Sequence, residues 1–151
     1  MRVLLCYPFR DDAYRKIGIL VPPMGLGYIA AVLREGGHRA EIIDFNVKPA
    51  EPEYSSYDVV GISCDTSRFK AGVAIARKAK AAGRPVVMGG PHVSFNDDEA
   101  LATGVCDYVV RGEGEHTMLS LVNAMAGNGD IASIPGLSYR VNGSVVRTPD
   151  A

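Results

Sequence analysis

With 151 residues, 47% hydrophobic content and a formal charge of -1, the chain is sized for one globular domain with a substantial core. That balance argues against a general nucleic-acid surface, and no apolar run approaches the roughly 20 residues of a membrane span. Cys6, Cys64 and Cys106 are odd in number and widely spaced, which argues against a disulfide framework and fits a reducing cytoplasm better. They form no Cys-x-x-Cys pair and no three-cysteine iron–sulfur motif.

Arg2–Cys6 reads as the first strand. The apolar start is followed by Arg10-Asp11-Asp12 without a small-residue cleavage site, so it is not read as a signal peptide. Tyr7–Pro23 is a polar connection longer than most strand-to-helix loops, of the kind that is either a functional lid or a disordered segment. Its Tyr7, Tyr14 and Arg15 are placed either to cover a ring or to face a neighbouring domain. Pro22-Pro23 sets the start of a helix with Leu26, Ile29, Ala30 and Leu33 on one face, and Gly36-Gly37 ends it. Gly27 inside this helix marks close approach to a strand or ligand, or simple packing. Ala40–Phe45 reads as strand two. Its Asp44 stands where dinucleotide folds hold a ribose hydroxyl, but the first loop lacks GxGxxG, so NAD and FAD are set aside. Residues 46–57 leave little room for a full helix.

Asp58–Ser63 reads as strand three, continuing into Cys64-Asp65-Thr66-Ser67. A helix over Phe69–Ala82 follows, with Phe69, Val73, Ala76 and Ala79 inward, Arg77, Lys78 and Lys80 outward, and Gly83 as its stop. Pro85–Met88 is strand four, with Gly89-Gly90-Pro91-His92 as its exit loop. Asn96 or Asp97 is expected to cap a short helix ending at Ala102. Asp107–Val110 is strand five, and Gly112-Glu113-Gly114-Glu115 leads into a helix with Met118, Leu119, Val122, Met125 and Ala126 on its apolar side. Three apolar strands that end in Gly/Ser-rich loops place a ligand crevice at the carboxyl edge of an open α/β sheet. Leu137–Val141 and Ser144–Thr148 flank Asn142-Gly143, a strong two-residue hairpin signal. This hairpin is expected to bridge to a following domain, with the chain itself a piece of a longer protein. The division expected is 1–130 for the α/β domain and 131–151 for the hairpin and linker.

The segments PPMGLGYIAAVLREGGH (22–38), YDVVGISCDTS (57–67), VVMGGPHVS (86–94) and DYVVRGEGEHTMLSL (107–121) together resemble the N-terminal cobalamin-binding domain of radical S-adenosylmethionine enzymes. That group includes methyltransferases and the oxidative cyclase of magnesium-protoporphyrin monomethyl ester. The resemblance covers essentially the whole chain. It implies a doubly wound, flavodoxin-like five-stranded parallel sheet in order 2-1-3-4-5, helices on both faces, and a C-terminal β-hairpin. It also implies a corrinoid over the carboxyl edge, with the nucleotide tail running down between sheet and helix. Ser63, Cys64, Asp65 and Thr66 would lie near the tail or ring edge. Gly89, Gly90 and His92 would form the wall on strand four, and Gly112, Glu113 and Gly114 the wall after strand five. S-adenosylmethionine and a 4Fe-4S cluster would belong to a downstream radical domain, the expected intramolecular partner. The chain departs from better-known cobalamin domains in one respect. Their Asp-x-His-x-x-Gly loop after strand one supplies a cobalt ligand, whereas here that loop holds Asp11 and Asp12 and no histidine.

The residues also carry plainer readings. His92 fits a ligand contact or an ordinary polar loop, and His116 and His38 fit solvent-facing and structural positions. Glu113 and Glu115 are accounted for by the dipole at a helix start, Asp65 by a turn, and Cys64 by a buried strand end without a neighbouring base. No nucleophile–base–orienter set emerges, so no catalytic or metal-binding residue is assigned to this chain alone. Other functions for such a fold are a cofactor-free structural or partner-binding module, a signalling receiver and a flavodoxin-like electron carrier. Asp11-Asp12 and Asp65 only mimic a receiver's acidic layout, and YPFRDDAYRK is not a phosphate-cradling loop.

Overall fold

The computed structural model describes residues 1–10, 21–48 and 50–151. Strands β1 (Arg2–Tyr7), β2 (Arg39–Asp44), β3 (Val59–Ser63), β4 (Val86–Gly89) and β5 (Tyr108–Val110) are parallel, and β6 (Leu137–Val141) and β7 (Ser144–Arg147) extend them antiparallel. The sheet order is β2-β1-β3-β4-β5-β6-β7. The helices are α1 (Met24–Glu35), α2 (Phe69–Ala81), α3 (Pro91–Phe95), α4 (Asp97–Ala102) and α5 (Glu115–Met125). Between β2 and β3 the described residues form a single 3-10 turn, Tyr54–Ser56. The order and layering match the doubly wound sheet expected from the sequence, and the element bounds agree to within a residue or two.

The side-chain alternation of parallel strands divides the core in two. Leu4, Cys6, Val60, Ile62, Val86, Met88 and Val109 face α2, α3 and α4. Val3, Leu5, Val59, Val87 and Val110 face α1 and α5, where Leu26, Ala30, Leu33, Met118, Leu121 and Val122 meet them. Leu33 and Leu121 are fully buried, and each such burial is worth about 1.5–3 kcal/mol relative to exposure. His38, just past α1, places Nε2 2.9 Å from Asn123 Oδ1, joining the two helices of this face.

Two local differences from the expected pattern matter. The exit of β4 is a single residue, Gly90, after which Pro91 opens α3 in the first-turn position that its missing N–H suits. Asn96 and Asp97 make no side-chain cap for α4. Asn96 Nδ2 donates instead to His92 O at 2.9 Å, and Asp97 turns toward the hairpin.

The hairpin is part of the sheet. Leu137 pairs with Val110 and is fully buried, and Tyr108 and Tyr139 lie side by side with ring centroids 6.0 Å apart. The turn has φ of 51° at Asn142 and 85° at Gly143, the doubly positive geometry that the right-handed strand twist favours. Arg147 of β7 reaches across to α4. Its Nε donates to Asp97 Oδ2 at 2.8 Å and its terminal nitrogen to Asp97 Oδ1 at 3.0 Å and Asp98 Oδ2 at 2.6 Å. Ser138 Oγ, on a fully buried residue of β6, donates to the same Asp97 carboxylate at 2.5 Å.

Candidate functional site

A cleft of about 400 Å³ opens at the carboxyl edge of the sheet on the α1/α5 side. Leu5, Gly61, Val87 and Val110 of the strands line it from the sheet, with Leu26 and Ile29 of α1 and Met118 of α5 on the helical side. Its depth depends on what Gly61 lacks: a side chain there would come within 2.9 Å of Leu5 Cδ2 and 3.5 Å of Met118 Cε. Ser63, Gly89, Gly90, Gly112, Glu113, Gly114 and Glu115 contribute from the strand exits, and Pro91, Ser94 and Phe95 from α3.

The exits are tied to one another through Gly90. Its φ of 100° and ψ of 174° lie in a region essentially reserved for glycine. Cys64 N donates to Gly89 O at 2.8 Å, and His92 N to Cys64 O at 3.2 Å. Ser94 Oγ donates to Gly90 O at 3.0 Å and accepts from Gly112 N at 3.2 Å. The ends of β3, β4 and β5 are thus joined by short backbone and hydroxyl bonds, and the cleft has a preformed wall.

Of the residues expected at the site, Ser63, Gly89, Gly90, Gly112, Glu113 and Gly114 line this cleft, while Cys64, Asp65, Thr66 and His92 do not. The reason is phase. Val59, Gly61 and Ser63 share the cleft face of β3, so Cys64, next in line, turns into the opposite core. On α3 the positions i, i+3 and i+4 (Pro91, Ser94 and Phe95) share the cleft face. His92 and Val93 point the other way. The His92 ring lies on Phe69 with centroids 4.5 Å apart and Nδ1 3.2 Å from Thr66 Oγ1. Its Nε2 is 3.2 Å from Glu99 Oε2, close enough for an ion pair when protonated but not aligned for a hydrogen bond.

Asp65 organises a turn. It accepts from Ser67 Oγ at 2.5 Å, from Arg68 N at 3.0 Å and from the Arg68 guanidinium. Burial opposes its ionisation, but those bonds and the Arg68 charge hold its carboxyl below the ordinary value. Arg68 itself is buried, with its Nε on Pro8 O and its guanidinium over the Tyr7 ring at 4.2 Å.

The three thiols are free and buried. Burial is the first cause that pushes Cys6, Cys64 and Cys106 up to about 12, and the Asp65 charge adds to it at Cys64. Native protein treated with iodoacetamide at mildly alkaline pH should therefore remain unlabelled at all three, with full labelling in guanidinium. Mass spectrometry checks this, and early labelling of Cys64 alone would show that the β3 exit opens in the native state.

His116 is exposed, and Asp44 accepts from Asn46 N and Nδ2 at 2.8 and 2.7 Å, so both have ordinary local surroundings. Asp11, Asp12, Tyr14 and Arg15 lie outside the described residues. The α1 glycine at the cleft is Gly25. Gly27 lines instead a more open groove of about 740 Å³ beside the edge strand β2, which none of the glycine-rich strand exits reaches. Gly61, Ser94 and Phe95 were not singled out from the sequence. A glycine inside a strand is a readable sign of close approach, whereas the other two depend on a five-residue helix that has no periodicity to read. Among the described residues no group of three His, Cys, Asp or Glu could hold a metal ion, and no helix is long and apolar enough to cross a membrane.

A family model for the B12 binding domain matches residues 12–122. An uncharacterized methyltransferase of Pyrococcus horikoshii is 37% identical, over 99% of this chain and 35% of its own. The bacteriochlorophyllide d C-8(2)-methyltransferase of Chlorobaculum tepidum is 32% identical, over 70% of this chain and 23% of its own. Among solved structures, the radical S-adenosylmethionine methyltransferase TsrM of Kitasatospora setae, with cobalamin and a 4Fe-4S cluster bound, superposes with a TM-score of 0.80. The identity is 23%, over 99% of this chain and 29% of that one, and the likeness is one of fold. The chain spans about a third or less of the length of these relatives.

Proposed function

The chain belongs to the B12 binding domain family, and from that membership we propose that it holds a corrinoid as one module of a longer radical S-adenosylmethionine enzyme. The observation that carries the reading is the preformed cleft at the carboxyl edge, lined by Ser63, Gly89, Gly90, Gly112, Glu113 and Gly114. Its residues suit part of such a ligand. At about 400 Å³ it suits a drug-sized moiety rather than a whole corrinoid, and in this reading the nucleotide tail would enter the cleft with the macrocycle over the rim above it. The apolar side chains of Leu5, Leu26, Ile29 and Met118 exclude water from the tail. The missing side chains of Gly89, Gly90, Gly112 and Gly114 let backbone approach closely. Among the described residues, the lining carries two carboxylates, Glu113 and Glu115, and no lysine, arginine or histidine. Such a mouth accepts hydrogen bonds from amide arms.

Bound there, a corrinoid supplies a cobalt centre for one-carbon or radical chemistry. None of the three histidines lines the cleft, so its walls offer cobalt no imidazole. For the longer protein we read methyl transfer rather than cyclisation, following the names of the two relatives above. S-adenosylmethionine and a 4Fe-4S cluster belong, in this reading, to a further domain. The three free, buried thiols support a reducing, cytoplasmic setting.

Titration of the full-length protein with hydroxocobalamin, followed by absorbance and calorimetry, should show saturable binding near one to one. Absence of binding would overturn the corrinoid reading and leave a structural or partner-binding module of the same fold.

A further inference from the structure

The exit of β5 is fastened on two sides. Toward the cleft, Gly112 N donates to Ser94 Oγ at 3.2 Å. Away from it, Arg111 N donates to Gly136 O at 2.8 Å, and Gly136 N donates to Pro149 O at 2.7 Å. The Arg111 guanidinium donates to Thr148 O and pairs with Asp150 at 3.3 Å. That side chain is only 15% exposed, and its Nε has no hydrogen-bond partner among the described residues. A guanidinium so far removed from water depends on the carbonyl that it does reach, so release of the segment after β7 would leave the charge poorly compensated.

Gly136 is the centre of this junction. A side chain there would come within 3.2 Å of Thr117 Oγ1 and of Ala151 Cβ, and within 3.3 Å of Arg111 O. Thr117 Oγ1 also donates to Pro135 O at 3.2 Å. The β5 exit, the turn into β6, the start of α5 and the segment after β7 therefore meet around one glycine. The part of the exit that lines the cleft has little packing of its own. Gly112 and Glu113 are exposed, and a side chain at Gly112 would meet open space. A ligand seated against this stretch and a docked segment behind it would order the same few residues, so each lowers the cost of the other.

We propose that Arg111 is a positioning residue that couples occupancy of the cleft to docking of the segment Thr148–Asp150. The proposal takes its ligand from the corrinoid reading above and goes beyond it. In the longer enzyme of that reading, the domain expected to follow the hairpin would be set in orientation by a filled cleft.

The test measures amide hydrogen exchange of the full-length protein with and without hydroxocobalamin, in wild type, Arg111→Met and Arg111→Lys. Gly136 N and Leu137 N are the reporters, since they donate to Pro149 O at 2.7 Å and to Thr148 Oγ1 at 2.8 Å. Saturating ligand should slow their exchange by about five-fold or more in wild type and leave the amides of β2, at the far edge of the sheet, unchanged. Arg111→Met should abolish that slowing and weaken hydroxocobalamin binding by a similar factor, because the coupling is reciprocal. Arg111→Lys keeps a charged donor and should stay closer to wild type in both readouts. Bound hydroxocobalamin that leaves Gly136 and Leu137 unchanged in wild type overturns the coupling, whether or not the variants fold. Arg111→Met with wild-type affinity and ligand-slowed exchange overturns the role of Arg111. If wild type does not bind hydroxocobalamin, the corrinoid reading fails and the proposal falls with it.

Discussion

Replacing Gly90 by alanine should destabilise the protein by about 3 kcal/mol, seen as a drop of about 10 °C in Tm and a lower urea midpoint. Two effects add at this position. A φ of 100° with ψ of 174° is strained for any L side chain. The new Cβ would also lie 2.8 Å from Cys64 O, 3.0 Å from Cys64 N and 3.2 Å from Ser63 Oγ, of which the first two belong to backbone that cannot swing away. Relief requires the ends of β3 and β4 to part, so cobalamin affinity should fall with stability. Gly112 makes the matched control. Its φ is 69°, but a side chain there would meet open space, so Gly112→Ala should cost only about 1–2 kcal/mol. Equal stability losses at the two positions would show that strain alone, and not the close approach at Gly90, governs this edge.

The second large effect is expected at Asp97. Its carboxylate serves Arg147 and the buried Ser138 hydroxyl together, so Asp97→Ala leaves a buried donor without its acceptor and should cost about 3 kcal/mol. Amide hydrogen exchange should quicken over β6 and β7 and remain slow in β1 and β3. A uniform increase across the sheet would instead mean that the hairpin and the parallel strands unfold as one unit. The same group gives an acid dependence. Hydrogen bonds from Arg147 outweigh burial and hold the Asp97 carboxyl below its ordinary 3.8. A depressed folded-state pKa contributes stability that is complete above the unfolded value and is lost as pH falls through the folded one. Wild type should therefore lose stability below pH 3.8 more steeply than Asp97→Ala.

The architecture was legible because its signals are local. Apolar runs such as Val86–Met88 ending in paired glycines mark parallel strand exits, and Asn142-Gly143 dictates its turn. The site was only half legible. Alternation along β3 separates Ser63 from Cys64, and that much is written in the sequence. Which face of the sheet stands open is not, because it depends on how closely α1 and α5 approach β1 and β3 around Gly61. The direction of His92 follows from α3 being helical. Five residues opened by proline read as a loop, and a loop has no phase by which to send Pro91 and Phe95 one way and His92 the other. Asp97 was readable as a helix start, but its partners Ser138 and Arg147 lie 41 and 50 residues away, a separation that only the folded sheet closes.

The sheet separates two kinds of inheritance. Behind it, where Cys6, Cys64 and Met88 meet α2, the interior is closed, and a drifting lineage can trade one hydrocarbon shape for another at the expense of robustness alone. In front of it, around Leu5, Gly61 and Val110, every exchange also remoulds the contour offered to whatever enters from solution. Descendants that diverge in what they hold should therefore have diverged on one side of a seven-stranded wall.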